Sequence, residues 1–150
     1  MERNLRVLEY YKIINLVAEQ ASSSAGKERV LAIRPTKDVR QVRELQKMNS
    51  EITGILISKG RFPFGPLYDL KRELKMAEIG SSLSTRSLLQ ISDSLRTSRN
   101  VYSFVNGIDD VDEKYPGVYQ MIQMISPLRD IEDKINNAII AENQISDNAS

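Results

Sequence analysis

Apolar residues recur every three or four positions over three long stretches of the chain, which is the spacing of one face of an α-helix. The first stretch, residues 5–21, is apolar beyond a single stripe, and the predicted helix is therefore expected to be buried on two sides. Residues 37–58 carry the clearest repeat, and residues 85–105 carry a second long one. Shorter helices are predicted at residues 25–33, 67–79 and 118–125, and from Pro127 onward.

Capping residues and helix breakers predict where these helices begin and end. A serine or threonine hydroxyl accepts hydrogen bonds from the free N–H groups at a helix start, so Thr36 and Ser84 are predicted N-caps. Pro35 ends the helix before it, because proline cannot continue one. Gly60 and Gly80 are predicted to close helices, since glycine accepts the left-handed conformation common there.

Three segments between or after the helices are predicted to be irregular. Residues 61–66 (Arg-Phe-Pro-Phe-Gly-Pro) are expected to pack down as a plug, because proline and glycine prevent regular structure while two phenylalanines favour burial. Residues 106–117 form an acidic, turn-rich loop. Residues 141–150 are polar and form either a short hairpin or a frayed tail.

Two long amphipathic helices surrounded by shorter ones predict an all-α fold, an irregular helical bundle. We expect one helical domain over residues 1–140 and a polar tail over residues 141–150. Several apolar faces are wider than a monomer of 150 residues needs. Part of the apolar surface is therefore expected to be covered by another domain or by a second copy of the chain.

Composition then narrows the possible functions. The chain is 41% hydrophobic and 27% charged, as in an ordinary globular domain. It contains no cysteine and no histidine, which excludes disulfides, thiol nucleophiles and a Ser-His-Asp triad within it. The first residues lack the apolar core of a secretory signal, and no apolar run is long enough for a membrane span. A cytoplasmic protein without membrane contact is the expectation.

Two segments suggest binding sites but match no motif. Residues 24–28 (Ser-Ala-Gly-Lys-Glu) resemble a phosphate-binding loop, yet Ala21 and Glu28 stand where glycine and serine or threonine are needed. Gly26 is instead predicted to allow a close helix–helix approach. The second segment is an acidic cluster, which consists of Asp109, Asp110, Asp112 and Glu113. Its spacing is not that of an EF-hand, and it is predicted to be a solvated loop. We predict no catalytic, cofactor-binding or metal-binding residue in the chain.

A basic face on the predicted helix 37–58 is the strongest candidate site. Arg40, Arg43 and Lys47 lie at i, i+3 and i+7, on one face and opposite much of the apolar stripe. Such a face can contact nucleic-acid phosphates, or it can be an ordinary solvated surface. The apolar stripe is Val42, Leu45, Ile52 and Leu56, and the further basic residues that could add to the face are Arg34, Lys37, Lys71, Arg72 and Lys75.

Short pieces along nearly all 150 residues occur in the order and spacing of one known family. They are Leu8-Glu9-Tyr10 with Lys12-Ile13, Ala21-Ser22, Gly26-Lys27-Glu28, Pro35 with Asp38, Pro63-Phe64-Gly65 with Asp69, Ala77-Glu78-Ile79-Gly80, Leu88-Leu89 with Ile91, Asp93, Leu95-Arg96 and Arg99, and Ile145-Ser146-Asp147 with Ala149-Ser150. The chain resembles the N-terminal part of the second bacterial MutS family, mismatch-repair paralogues with a C-terminal Smr endonuclease domain.

The resemblance implies that the chain is part of a longer protein with a helical clamp, a dimerising ATPase and usually the Smr nuclease. ATP and Mg²⁺ would then belong to the full-length parent, and this part would be the helical core or lever joining clamp to ATPase. Its partners would be the remainder of its own chain, with DNA or the ribosome reached through the full-length protein. The family's proposed roles are recombination suppression on branched DNA and rescue of collided ribosomes. Mismatch recognition is not implied, because the Phe-x-Glu wedge is missing.

The sequence thus favours a non-catalytic, force-transmitting scaffold whose own surface adds backbone contacts through Arg40, Arg43 and Lys47. Two alternatives stay open. The chain could be a self-sufficient nucleic-acid-binding module using that basic face. It could also be an adaptor or homodimerisation domain that binds a protein helix in an apolar groove.

Overall fold

The computed structural model describes residues 2–141 and 144–145, and it confirms an all-α fold. The chain divides into two compact units, Met1–Pro35 and Thr36–Ser150. The first unit holds α1 (Glu2–Val7), α2 (Tyr10–Glu19) and α3 (Ser24–Leu31). The second holds α4 (Val39–Lys59), α5 (Lys71–Glu78), α6 (Thr85–Asn106), α7 (Val111–Lys114), α8 (Pro116–Gln123), α9 (Arg129–Ala138) and the short antiparallel strands β1 (Ile139–Ala141) and β2 (Gln144–Ile145).

The prediction of one continuous first helix was wrong, because the chain breaks at Glu9. That residue has a φ of 52°, in the left-handed region that a non-glycine residue adopts only at local cost. Ala18 is buried, whereas Leu16 is 56% exposed, so the predicted burial on two sides is also wrong. The Tyr10 hydroxyl donates a 2.9 Å hydrogen bond to the Ile33 carbonyl, which ties the start of α2 to the segment after α3.

Helix α4 begins two residues later than the predicted cap implied. Asp38 is the N-cap, and its Oδ1 accepts hydrogen bonds from the backbone N–H groups of Arg40 and Gln41. Thr36, predicted to cap this helix, instead accepts from the Asp38 N–H at 3.1 Å. A carboxylate at the N-cap also complements the positive end of the helix dipole. Gly60, with a φ of 80°, ends the helix as predicted.

The loop after α4 is attached to α6 along one side. Phe62 packs against the core as predicted for a plug, while Phe64 is 56% exposed and only stacks on Phe62. Thr97 of α6 donates a 3.0 Å hydrogen bond to the Pro66 carbonyl. These attachments hold the chain in irregular structure through Leu70, so α5 starts later than residue 67, where it was predicted.

Helix α6, which Ser84 caps as predicted, carries the main core of the second unit. A cluster of buried apolar residues forms where α4, α6 and α8 meet. The most buried side of α6 also includes small polar residues, because these allow close approach of neighbouring backbone. The cluster consists of Ile55, Val101, Val105, Ile108, Val111, Val118 and Ile122, and the buried polar residues of α6 are Ser92, Ser94 and Thr97.

The last part of the chain folds back onto α6. Proline occupies the first position of α8 at Pro116, whereas Pro127, predicted to start a helix, lies two residues before the first residue of α9, Arg129. The strands pair Ile139 with Ile145, which forms the short terminal hairpin that was one of two expectations for this region. The rest of the predicted tail, residues 142–143 and 146–150, lies outside the described residues. No helix in the described part of the chain is long and apolar enough to cross a membrane.

Candidate nucleic-acid interface

The three predicted basic residues lie together on the first half of α4. Capping by Asp38 fixes the helix start, so Arg40 falls in the first turn and the helical spacing places Arg43 and Lys47 on the same side. All three side chains are exposed. The structure thus brings together a row of three cations over two turns, available to a ligand outside the chain.

The positive charge of this row is only partly compensated. Arg40 and Arg43 make no ion pair with any residue that the structure describes. The Lys47 Nζ lies 4.0 Å from Glu51 Oε1, and the Lys47 side chain is 68% exposed. The Glu51 side chain, in contrast, is only 7% exposed, so Lys47 is the cation beside a buried carboxylate. Arg40 and Arg43 are therefore more available to an external anion than Lys47 is.

The apolar stripe opposite the basic row is only partly buried. Ile52 of the stripe packs against the core beside Met48 and the buried Ile55. Leu45 is 60% exposed and Leu56 is 44% exposed. The spacing of apolar residues therefore identified the helix correctly, but the core reaches only one edge of the predicted stripe.

The other candidate cations lie outside α4. Arg34 donates to the carbonyls of Leu31 and Ile33 in its own unit. Lys71 lies 3.9 Å from Asp69. Arg72 lines a cavity of about 300 Å³ beside Ser84 and Ser87, at the start of α6. Lys37 and Lys75 are exposed.

Glu51 is a buried charge that the sequence analysis missed. Its Oε2 accepts a 2.9 Å hydrogen bond from the Val118 backbone N–H, near the start of α8. A carboxylate at a helix N-terminus is stabilised by free N–H groups and by the helix dipole. Gly117 leaves room for it, since a Cβ there would lie 3.0 Å from Glu51 Oε2. The sequence indicates the burial of Glu51 only through its spacing, because Glu51 lies one helical turn before the apolar residue Ile55.

A second buried carboxylate joins α6 to α9. Glu132 is 4% exposed and accepts two hydrogen bonds of 2.9 Å from the Arg99 guanidinium. The hydrogen bonds from Arg99 hold the pKa of Glu132 below its ordinary value and raise that of Arg99. Ser92 adds a 2.7 Å hydrogen bond to Asn136. The spacing of residues in the sequence gives no sign of the Arg99–Glu132 pair, because the two residues are 33 positions apart.

The two other segments considered as sites have local structure instead. Gly26 approaches Ser23 and Ala21 of its own turn, so the predicted helix–helix approach at this glycine was wrong. Ser23 caps α3 by accepting from the Gly26 N–H at 3.1 Å. In the acidic segment, Lys114 Nζ lies 3.1 Å from Asp110 Oδ2. Across residues 2–141 and 144–145, no three acidic side chains are grouped so that they could hold a metal ion.

Comparisons with known proteins extend these observations. No protein-family model matches the chain. Over 149 residues, 99% of its length, it is 40% identical to Endonuclease MutS2 of Alkaliphilus metalliredigens and 39% identical to that of Clostridioides difficile. Over 150 residues it is 33% identical to Endonuclease MutS2 of Bacillus mycoides. In each case the chain spans 19% of the relative's length, in its N-terminal region. The resemblance found in the sequence is thus confirmed.

Proposed function

We propose, from homology to the N-terminal region of MutS2 endonucleases, that this chain is a non-catalytic helical scaffold within a MutS2-type protein. In this proposal it links a clamp region to an ATPase and transmits nucleotide-driven movement between them. ATP and Mg²⁺ would bind the ATPase of the longer protein. Branched DNA or a collided ribosome would be the client, in the cytoplasm.

The observation that carries the proposal is the buried connection between α6 and α9. A segment that transmits movement must shift as one body, because a loose contact would absorb the displacement. Helix α6 has 22 residues and spans about 33 Å at a rise of roughly 1.5 Å per residue. The Arg99–Glu132 and Ser92–Asn136 contacts fasten α9 along it over two turns. This arrangement suits a stiff lever.

The test weakens this connection in the longer protein and leaves the surface charge elsewhere intact. Glu132→Gln removes the charge that pairs with Arg99, and we expect basal ATP hydrolysis to persist while its stimulation by branched DNA or by ribosomes falls. Asp133→Asn is the matched control, because its partner Arg129 lies 3.7 Å away and both side chains are exposed. Unchanged stimulation in the Glu132 variant, despite a weakened α6–α9 contact, would contradict a lever.

A second function is favoured by one observation, the lack of ion-pair partners for Arg40 and Arg43 in the described part of the chain. In this alternative the chain itself binds nucleic-acid backbone through Arg40, Arg43 and Lys47. Each phosphate contact adds roughly 0.9 to the slope of log affinity against log salt for duplex DNA. Loss of all three cations would therefore lower that slope by about 2.7.

Fluorescence anisotropy with labelled branched DNA, at low and near-physiological salt, separates the two functions. Replacing Arg40, Arg43 and Lys47 together by glutamate tests the row. The charge-matched control replaces Lys71, Arg72 and Lys75 of α5, which are also exposed. Binding that persists at near-physiological salt, and that only the α4 variant loses, favours the binding module. Binding confined to low salt and equally weakened in both variants favours the scaffold.

The third function, a protein-binding or homodimerisation adaptor, rests on the exposed apolar side chains of both units, such as Ile13, Leu16, Leu45 and Ile57. Sedimentation equilibrium over a hundredfold concentration range tests homodimerisation directly. A mass that rises with concentration favours an adaptor, whereas a constant monomer mass leaves these faces for other parts of the longer protein.

A further inference from the structure

One oxygen of the buried Glu51 side chain has no hydrogen-bond partner among the residues that the structure describes. Its Oε2 accepts a 2.9 Å hydrogen bond from the Val118 N–H, whereas its Oε1 is enclosed and accepts none. The Glu51 side chain as a whole is 7% exposed. A buried acceptor without a donor is costly, because it has lost water and gained nothing in exchange. Glu51 therefore depends on a positive charge close to it.

Lys47 supplies that charge, as the only ion-pair partner of Glu51 in the described part of the chain. Its Nζ lies 4.0 Å from Glu51 Oε1, one helical turn away. Both residues line a cavity of about 350 Å³ together with Glu113 and Lys114 of α7. Lys114 is already engaged, because its Nζ lies 3.1 Å from Asp110 Oδ2. Glu113 adds a second negative charge to the cavity, so the local charges keep Lys47 near Glu51.

Glu51 lies on the same side of α4 as the basic row. At about 100° per residue, the step from Arg40 to Glu51 completes about three turns and returns to within roughly 20° of its starting direction. The row is exposed, whereas the start of α8 covers this side of the helix at Glu51. Lys47 lies at the boundary between the exposed and the covered part. Its side chain, which is 68% exposed, can reach either the buried carboxylate or a ligand outside the chain.

A phosphate bound at the row would compete with Glu51 for the same ammonium group. Removing Lys47 from Glu51 leaves a buried carboxylate without its cation, which costs far more than separating two exposed charges. Arg40 and Arg43 meet no such competition, because neither makes an ion pair with a residue that the structure describes. The three cations of the row are therefore not equivalent toward an external anion.

We infer that Glu51 is an autoinhibitory residue of the basic row, which retains Lys47 and limits the row to the phosphate contacts of Arg40 and Arg43. This role rests on the second proposed function, in which the row binds nucleic-acid backbone. Because coupling between two sites is reciprocal, a phosphate that takes Lys47 also weakens the attachment of Glu51 to the start of α8. Loss of the Glu51 charge releases Lys47 as a third contact.

Anisotropy titrations of labelled branched DNA with the 150-residue chain, over a series of salt concentrations, test this role. Each phosphate contact contributes about 0.9 to the slope of log affinity against log salt, so Arg43→Met should lower the slope by about 0.9. Lys47→Met should change it by less than about 0.3, since Lys47 is held by Glu51. Glu51→Gln should raise the slope by about 0.9 and tighten binding at low salt by about fivefold.

Glu44→Gln is the matched control, because Glu44 is exposed on the charged side of α4 and has no ion pair with a described residue. It removes the same charge near the row without releasing a cation, so binding should tighten by less than about twofold. The gain from Glu51→Gln should disappear when Lys47→Met is added. Equal gains from the two glutamate variants, or equal slope losses from Lys47→Met and Arg43→Met, would overturn the role of Glu51 and leave the row intact. Absence of binding by every variant at low salt would overturn both.

A second measurement needs no nucleic acid. Lys47→Met should lower the melting temperature of the natural chain by about 2 °C or more, because Glu51 loses its cation. In the Glu51→Gln background the same change should stay within about 1 °C. Arg43→Met, which removes an unpaired cation of the row, should also stay within about 1 °C. Equal shifts from Lys47→Met in both backgrounds would show that Glu51 does not hold Lys47, whatever the row binds.

Discussion

The two long helices of the second unit use their surfaces in opposite ways. Helix α6 buries Ser92, Ser94 and Thr97 along with two valines, and these polar side chains bond to distant parts of the chain. Helix α4 is almost as long but buries only Glu51 and Ile55. The comparison teaches that apolar periodicity predicts a helix, whereas the supply of neighbours within the chain decides which side becomes buried.

The sharpest way to break this comparison is a pair of neighbouring truncations on α4. Ile55 is completely buried, so Ile55→Ala should lower the free energy of unfolding by about 2–5 kcal/mol. Leu56→Ala removes a side chain that is 44% exposed, and its cost should be below about 1 kcal/mol. Urea denaturation of the 150-residue chain measures both. Similar costs would mean that the outer side of α4 is packed after all.

The next largest effect concerns the close contact between α6 and the loop before α5. A Cβ at Gly65 would lie 2.6 Å from Thr97 Oγ1, so Gly65→Ala should force the loop away and cost about 1–3 kcal/mol. The double variant with Thr97→Ala removes the clashing oxygen, and its cost should be smaller than the sum of the single costs. Strict additivity in urea denaturation would show that the loop does not rest on Thr97.

A smaller effect sharpens the role of the buried serines of α6. The Ser94 Oγ accepts a hydrogen bond of 3.3 Å from the Tyr68 N–H, so Ser94→Ala leaves that donor without its partner and should cost about 1 kcal/mol. Ser98 donates only to the Ser94 carbonyl within its own helix, and Ser98→Ala should change stability by less than about 0.5 kcal/mol. Equal effects would contradict a specific attachment of the loop.

The smallest expected effect is a pH dependence of the contact between α6 and α9. Because the pKa of Glu132 is lower in the folded chain, the unfolded state binds the proton first as pH falls. The stabilisation is therefore full at neutral pH and is lost below about pH 4.3, the ordinary glutamate value. It should be modest, since the Arg99 side chain is 32% exposed.

Urea midpoints measured from pH 7 to pH 3 for the natural chain and for Glu132→Gln check this effect. The variant should lose less stability over the acidic part of that range. Asp133→Asn, which changes an exposed carboxylate, serves as the control. A variant curve parallel to that of the natural chain would show that Glu132 is not the group responsible.

The locations of the two long helices, α4 and α6, were predictable from the sequence, because each depends on local spacing and on terminal residues such as Ser84 and Gly60. Helix α7 was not predicted, since it lies in residues 106–117, which were expected to form a loop. The break at Glu9 was not predictable, since glutamate gives no sign of a left-handed conformation. The Arg40, Arg43 and Lys47 row was predictable because helical spacing alone places these residues together. The buried pairs of Glu51 with Val118 and of Glu132 with Arg99 were not, since each joins residues 67 or 33 positions apart.

The packing of α9 against α6 also determines which parts of the chain unfold together. Contacts such as Ser92 with Asn136 close a loop of more than 40 residues that contains α7 and α8. The entropy lost in closing such a loop is recovered only when its ends hold together. Amide protons of α8 should therefore exchange with solvent through the same cooperative opening as those in the middle of α6, rather than by local fraying. This part of the second unit then behaves as one folding unit, whose integrity depends on its two ends.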